Sequence, residues 1–359
     1  MGNENSQNVV YGDRLQNNVE LSWKKMKPCP YPNREGQCAC SHGNDLYIFG
    51  GVIQSNSEEP VESNDLLVYN TEKNSWSQVK ATGSIPPACS AAALVCVGRK
   101  LYLFGGLSHD HGWFNELHVF CLENKSWSKL EGEGMKPSPR DKLQAVAVST
   151  DIYFFGGFGP KSESLDEEMD SEEEEAEGGA DFGWFNDLYI YNTVENKWSQ
   201  PVQMNLGVPT ARAAHAMCAV DRNLIIFGGR DAESRQNDLH IFNIDTKKWN
   251  TELSVRGRQP EPRSFHTATS VGNRVVVMGG RAIDNNHFAD LHLLDTVPKH
   301  GQLTHYIGDE DGINNCVACQ ATNHDNSTLC EPLQMSDLPR APWTEVSADF
   351  CGHTTLATR

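Results

Sequence analysis

This 359-residue chain has no apolar run of about eighteen residues, so no segment reads as a membrane-crossing helix. Its start is equally poor in hydrophobic residues. Met1 to Gln7 is polar and no apolar stretch follows, which removes a secretory signal from the reading and leaves cytosol or nucleus as the expected compartment. Basic residues are also scarce, with 30 Lys and Arg against 48 Asp and Glu and a net charge of −18. A chain so balanced lacks the basic surface that replaces phosphate counterions, so neither nucleic acid nor membrane is an expected partner. Much of the acidity is local: the stretch 163–181 carries eleven acidic residues and no basic one, and reads as a solvated insertion. The eleven cysteines show no repeated spacing that would make a disulfide framework. Cys38, Cys40, Cys89, Cys96 and Cys218 fall in or beside expected strands, as small reduced hydrophobes. Only Cys316-Val-Ala-Cys319 has ligand-like spacing, and it supplies two of the four ligands that a tetrahedral zinc site needs, a weak half-site.

What the chain does have is a repeat. Five Gly-Gly pairs, beginning at Gly50, Gly105, Gly156, Gly228 and Gly279, each follow a short apolar run such as Leu46-Tyr-Ile-Phe49. Their spacings are 55, 51, 72 and 51 residues, and the long one contains the acidic insertion at 160–181. Trp76, Trp127, Trp198 and Trp249 keep the same step. Each unit reads as four short strands, for example His215 to Val220, Leu224 to Phe227, Asp238 to Phe242 and Lys248 to Leu253. Gly-Gly would let the backbone turn at positive φ beside the neighbouring unit, and the late Trp would fill the wedge between adjacent sheets. Since one such unit cannot bury both of its faces, several must pack in a ring.

The order of apolar run, Gly-Gly, Asn-Asp-Leu, Tyr-Asn and Trp resembles the kelch repeat, whose period is about 50 residues. It implies an all-β kelch β-propeller with five recognisable four-stranded blades over 19–296, preceded by a disordered start at 1–18. Kelch rings commonly have six blades, so five units imply either a five-bladed ring or a truncated six-bladed one. Leu21-Ser-Trp-Lys-Lys-Met26 looks like an orphan fourth strand, available to complete the last blade, which has no Trp strand of its own.

After Thr296 the pattern stops. Asn314-Asn-Cys-Val-Ala-Cys319 and Pro342-Trp-Thr-Glu-Val-Ser-Ala-Asp349 resemble the junction between the zinc region and catalytic core of retrotransposon integrases. In that family three carboxylates bind the metals. Asp349 matches the first, the other two do not follow, and no integrase activity is expected. The stretch 297–359 is read as a fused or mis-joined fragment, poorly ordered and largely irregular.

The loops after Gly-Gly carry the informative side chains. Arg230 and Arg235 share one of them, and Ser264 opens the next blade. Two guanidinium groups and a hydroxyl suit a carboxylate, because Arg offers paired donors in one plane. On residue types alone a pair of solvated arginines is the alternative, with Arg140 and Arg212 as ordinary features of the strand entrance. Pro139-Arg-Asp-Lys-Leu143, Phe154-Phe-Gly-Gly-Phe-Gly159, Gly183-Trp-Phe-Asn-Asp-Leu188, Ala211-Arg-Ala-Ala-His215 and the Arg230 loop together resemble the kelch substrate receptors of cullin-RING ubiquitin ligases that read C-terminal glycine degrons. The resemblance spans 139–266. It implies that Arg230, Arg235 and Ser264 clamp a peptide carboxylate and that Lys142, Phe158, Trp184 and Phe265 line the pocket, although that family usually has Tyr at the position of Phe158 and Trp at that of Phe265. That family carries helices after the propeller that recruit the elongin adaptor and the cullin; the integrase-like stretch stands in their place. The expected role is therefore peptide recognition without catalysis or cofactor, with a C-terminal peptide as partner and cullin-RING components as further candidates. The alternatives are a kelch scaffold for a folded partner and a galactose-oxidase-like enzyme, for which no Tyr/His/Cys copper constellation is found.

Overall fold

The computed structural model describes residues 24–53, 60–161, 181–201, 207–251 and 253–296. Among them there is no helix, and none therefore long and apolar enough to cross a membrane. Blade one is a sheet of Cys38–His42, Asp45–Phe49, Leu66–Asn70 and Ser75–Gln78, antiparallel throughout and in chain order. Blade two repeats it with Ala93–Val97, Lys100–Phe104, Leu117–Cys121 and Ser126–Leu130, and gains Thr82–Gly83 as a parallel edge piece. Blade three uses Gln144–Val148, Asp151–Phe155, Leu188–Asn192 and Lys197–Ser199, and blade four Ala216–Val220, Asn223–Arg230, Arg235–Asn243 and Lys248–Trp249. Blade five has three strands, Thr267–Val271, Arg274–Met278 and Leu291–Asp295, one short of the expected four among the described residues.

Alternation explains why these short strands are apolar on both faces. In Lys100–Phe104, Leu101 and Leu103 point into the cluster shared with blade one, while Tyr102 and Phe104 point into the cluster shared with blade three. Four such clusters fill the four interfaces between successive blades. Each fully buried Leu or Phe contributes about 1.5–3 kcal/mol there. The late tryptophans wedge as expected: Trp127 meets Phe49 at 5.5 Å, Trp198 meets Phe104 at 5.3 Å and Trp249 meets Phe155 at 5.5 Å between ring centres. In every case the Trp reaches back to the Phe that precedes the previous blade's Gly-Gly.

The glycines are demanded by the next blade. A Cβ on Gly50, Gly105 or Gly156 would stand 2.5–2.6 Å from the carbonyl oxygen of Cys89, Arg140 or Arg212. The N–H of the second glycine donates to the same carbonyl at 2.9 Å in all three, and Gly229 donates likewise to Arg263. Arg140, Arg212 and Arg263 are buried, each donating to a first-glycine carbonyl and to an aspartate, Asp187, Asp238 or Asp290. These arginines hold the blades together and are not free to bind a ligand.

Of the orphan strand expected to complete blade five, only Lys24 to Met26 lie within the described residues. Trp23 falls outside the described residues, while Met26 packs on blade one beside Tyr69 and Trp76. The Lys27 N–H donates to Asn74 Oδ1 and the Lys27 carbonyl accepts from Trp76 Nε1. Cys38, Cys40, Cys89 and Cys218 are buried, and burial pushes the Cys89 and Cys218 thiols up to about 12. Cys316 and Cys319 lie outside the described residues, as does the acidic insertion beyond Lys161 and Asp181.

Candidate functional site

One end of the propeller is built from three equivalent positions repeated in blades two to five. The residue after Gly-Gly is Leu107, Phe158, Arg230 and Arg281 in blades two to five, and each is bridged to the residue leading into the same blade, Ser90, Asp141, Ala213 and Ser264. The next residue, Ala91, Lys142, Ala214 or Phe265, has positive φ of 52–60°. Its N–H donates to its counterpart in the previous blade: Ala91 to Gly36, Lys142 to Ala91, Ala214 to Lys142, Phe265 to Ala214. This chain of bonds sets Lys142 and Phe265 two blades apart on one belt. Because two alanines share the conformation, the left-handed backbone at Lys142 and Phe265 is a demand of the fold and not of a ligand.

The hairpins beyond Gly-Gly supply the remaining side chains. In blade four a bulge between Phe227 and Gly229 absorbs the glycine turn, so the central strands run on to the pair Arg230 and Arg235. The two arginines thus sit on strand ends and not on a loose loop. Asp231 closes the tip, accepting the N–H groups of Glu233 and Ser234, Thr210 Oγ1 and Gln236 Nε2. Burial pushes its carboxyl up, but those four donors outweigh it and hold the group below its ordinary value. In blade three, Phe158–Pro160 pairs with Phe182–Trp184 and puts the Phe158 and Trp184 rings edge to face, 5.1 Å apart. Lys142 Nζ pairs with Asp141, a buried carboxyl that desolvation pushes up against the pull of that lysine.

Across the interface of blades four and five, Arg235 Nε donates to Ser264 Oγ at 2.8 Å. Arg235 also donates to Asn285 Oδ1 at 3.0 Å and to the Ile283 carbonyl at 3.4 Å, so only neutral acceptors hold it. Burial, then the charges of Arg230 and Arg281, pull its guanidinium below the ordinary value. All seven residues singled out from the sequence therefore stand at the same end, on three consecutive blades: Lys142, Phe158 and Trp184 on the third, Arg230 and Arg235 on the fourth, Ser264 and Phe265 leading into the fifth. Two residues that sequence reasoning passed over join them. Trp113, paired with Leu107 on blade two, stands 6.2 Å from Phe158 and 5.0 Å from Phe182 between ring centres. Its Gly112-Trp-Phe-Asn115 repeats Gly183-Trp-Phe-Asn186, a signal open to inspection. Arg281 occupies in blade five the position of Arg230 in blade four. The face thus has an aromatic half on blades two and three and a guanidinium half on blades four and five.

The profile of the KLHDC2/KLHL20/DRC7 Kelch-repeats domain matches residues 36–171 and 175–330. The chain belongs to that kelch family. Mouse Kelch domain-containing protein 1 is 34% identical to it over 271 residues, 73% of this chain and 66% of the mouse protein. Bovine Kelch domain-containing protein 2 is 33% identical over 275 residues, 73% of this chain and 66% of its own length. Human host cell factor 1 is 30% identical over 279 residues, 73% of this chain but 13% of that much longer protein. This kelch chain spans about two thirds of the length of the first two relatives.

Proposed function

We propose that this kelch propeller binds the carboxyl terminus of a partner protein, with Arg230, Arg235 and Ser264 holding the terminal carboxylate and Lys142, Phe158, Trp184 and Phe265 beside the last residues. The observation that carries the reading is the contact of Arg235 with Ser264 across two blades, in a face whose arginines have no carboxylate within ion-pair distance among the described residues. In a chain of net charge −18, cations left without acidic partners are positioned for an incoming anion. The guanidinium plane and the hydroxyl match the two oxygens of a carboxylate, while a close wall would restrict the terminal residue to glycine by sterics. The resemblance to degron readers supports a role as substrate receptor in a cullin-RING ubiquitin ligase.

Fluorescence polarisation with a labelled peptide ending in glycine tests the clamp. Arg235→Ala is expected to weaken binding by about 2 kcal/mol or more, the cost of removing one partner of a desolvated charge pair, or about thirtyfold in Kd. A C-terminal amide on the peptide should abolish binding to the wild type. Equal affinity for acid and amide rules the clamp out. Co-purification of the full chain with the elongin adaptor tests the ligase role separately.

A further inference from the structure

Resting on the carboxylate-clamp reading, we infer that Arg281 adds a second anion subsite beside it, which selects peptides carrying an acidic side chain within the last few residues before the terminus. Ser264 is the pivot of the arrangement. Its hydroxyl accepts from Arg235, and its backbone exchanges both hydrogen bonds with Arg281, at 2.7 and 3.1 Å. Arg281 is therefore fixed immediately beside the serine, while Arg230 faces Arg235 across its own hairpin.

The loop that follows holds Arg281 without neutralising it. Arg281 pairs with His287, and inside that turn Ala282 N–H donates to the Asn286 carbonyl and Asn285 N–H to the Ala282 carbonyl. Asn285 adopts φ of 67°, a conformation that Asn tolerates better than most residues. Placed so, its carbonyl accepts from Arg281 Nε at 3.4 Å while its side-chain oxygen accepts from Arg235 at 3.0 Å. One asparagine thus orients two guanidinium groups through neutral oxygens. The nearby acid, Asp284, turns both carboxylate oxygens to Asn286, to its N–H at 3.0 Å and its side-chain amide at 2.7 Å. Arg281 forms no ion pair among the described residues, in contrast to the buried Arg263, which is neutralised by Asp290.

A single carboxylate has two oxygens, and the clamp of Arg230, Arg235 and Ser264 already matches them. Adding a third guanidinium to the same group would bring like charges together for no new bond. A second carboxylate on the ligand resolves this, because each anion then sits between two cations with Arg235 shared. An extended peptide places side chains of neighbouring residues only a few Å from its terminus, within reach of Arg281.

The test uses four peptides that differ only near the end: Glu or Gln in the residue before a C-terminal Gly, each with a free acid or an amide terminus. With the full chain, the Glu-Gly acid is expected to bind about tenfold more tightly than the Gln-Gly acid, as a rim-to-buried charge contact would give. In Arg281→Gln that preference should disappear, the Glu-Gly and Gln-Gly acids binding within about twofold of each other. Arg281→Lys should restore part of the preference, and an unchanged melting temperature in both variants shows that the blade is intact. Equal binding of Glu-Gly and Gln-Gly acids by the wild type, or a preference for Glu-Gly retained in Arg281→Gln, overturns the second subsite. Amide-tolerant binding overturns instead the carboxylate clamp on which it rests.

Discussion

His215 and His266 lead into blades four and five, each almost wholly buried, edge to face against Phe155 and Phe227 at 5.4 Å. Desolvation, then the charge of Arg263, lowers His266 to about 3, and desolvation with Arg212 carries His215 well below its ordinary value. His266 Nε2 has the Phe227 carbonyl at 3.1 Å, whereas neither ring nitrogen of His215 has a hydrogen-bond partner among the described residues. Below pH 6.5 the unfolded chain takes up a proton at each histidine that the folded chain refuses, down to about pH 3 in the case of His266. Stability is therefore full above about pH 6.5 and falls as the pH drops, by about 1.4 kcal/mol per pH unit for each histidine. Asp290 acts in a lower window: burial raises its carboxyl, but Arg263 and His292 outweigh that and hold it at about 2, so its contribution is lost only below about pH 4. The equivalent position in blade three is Leu143. His266→Leu should accordingly fold and flatten the decline in urea-denaturation stability between pH 7 and 5; an unchanged slope refutes the account. At this same scale the convergence of Arg230, Arg235 and Ser264 at one end was legible because they stand in a run of motifs that resembles the degron readers. Arg281 and Trp113 were not, since each becomes a site residue only once the blades are superposed on one another.

At the scale of the element, Gly-Gly is two different requirements joined together. Gly156 has φ of 68° and a Cβ there would lie 2.6 Å from the Arg212 carbonyl oxygen of the next blade. Gly279 has φ of 64°, yet the nearest atom to its Cβ position is the Phe288 carbonyl oxygen at 3.5 Å, within its own blade. Gly279→Ala should then cost only the left-handed backbone, about 1–2 kcal/mol. Gly156→Ala adds a backbone clash that neither blade can relieve without shifting, and should cost at least about 2 kcal/mol more in equilibrium denaturation. Equal costs would mean that something covers blade five as blade four covers blade three. The repeat announced these turns, the tryptophan wedges and the strand order, because each recurs at a fixed step. It did not announce the pairing of Phe158–Pro160 with Phe182–Trp184, whose halves are three residues long and separated by the acidic insertion, nor the bulge that carries Arg230 and Arg235 on strand ends.

Across the whole molecule, stability should follow position in the series of blades. Blade three is packed on both faces, by the cluster it shares with blade two and the cluster it shares with blade four. Among the described residues blade five shares a cluster with blade four alone, and Leu291, Leu293 and Val271 are 41%, 48% and 52% exposed. In a structure whose units touch only their neighbours, the free energy of opening a blade is its own stability plus its interfaces, so an end blade lacks one whole term. The same blade carries Ser264 and Arg281, so the serine and one of the three guanidinium groups rest on the least supported element. Amide exchange measured by mass spectrometry on the free chain should therefore show Arg274–Met278 at least about tenfold less protected than Asp151–Phe155. A glycine-ended peptide bound across blades four and five should slow exchange in blade five most, because a ligand that binds only the closed form stabilises the segment whose opening would release it. Uniform protection across the two blades, with or without peptide, would show that the series has no weak end and that the site is fully formed before its ligand arrives.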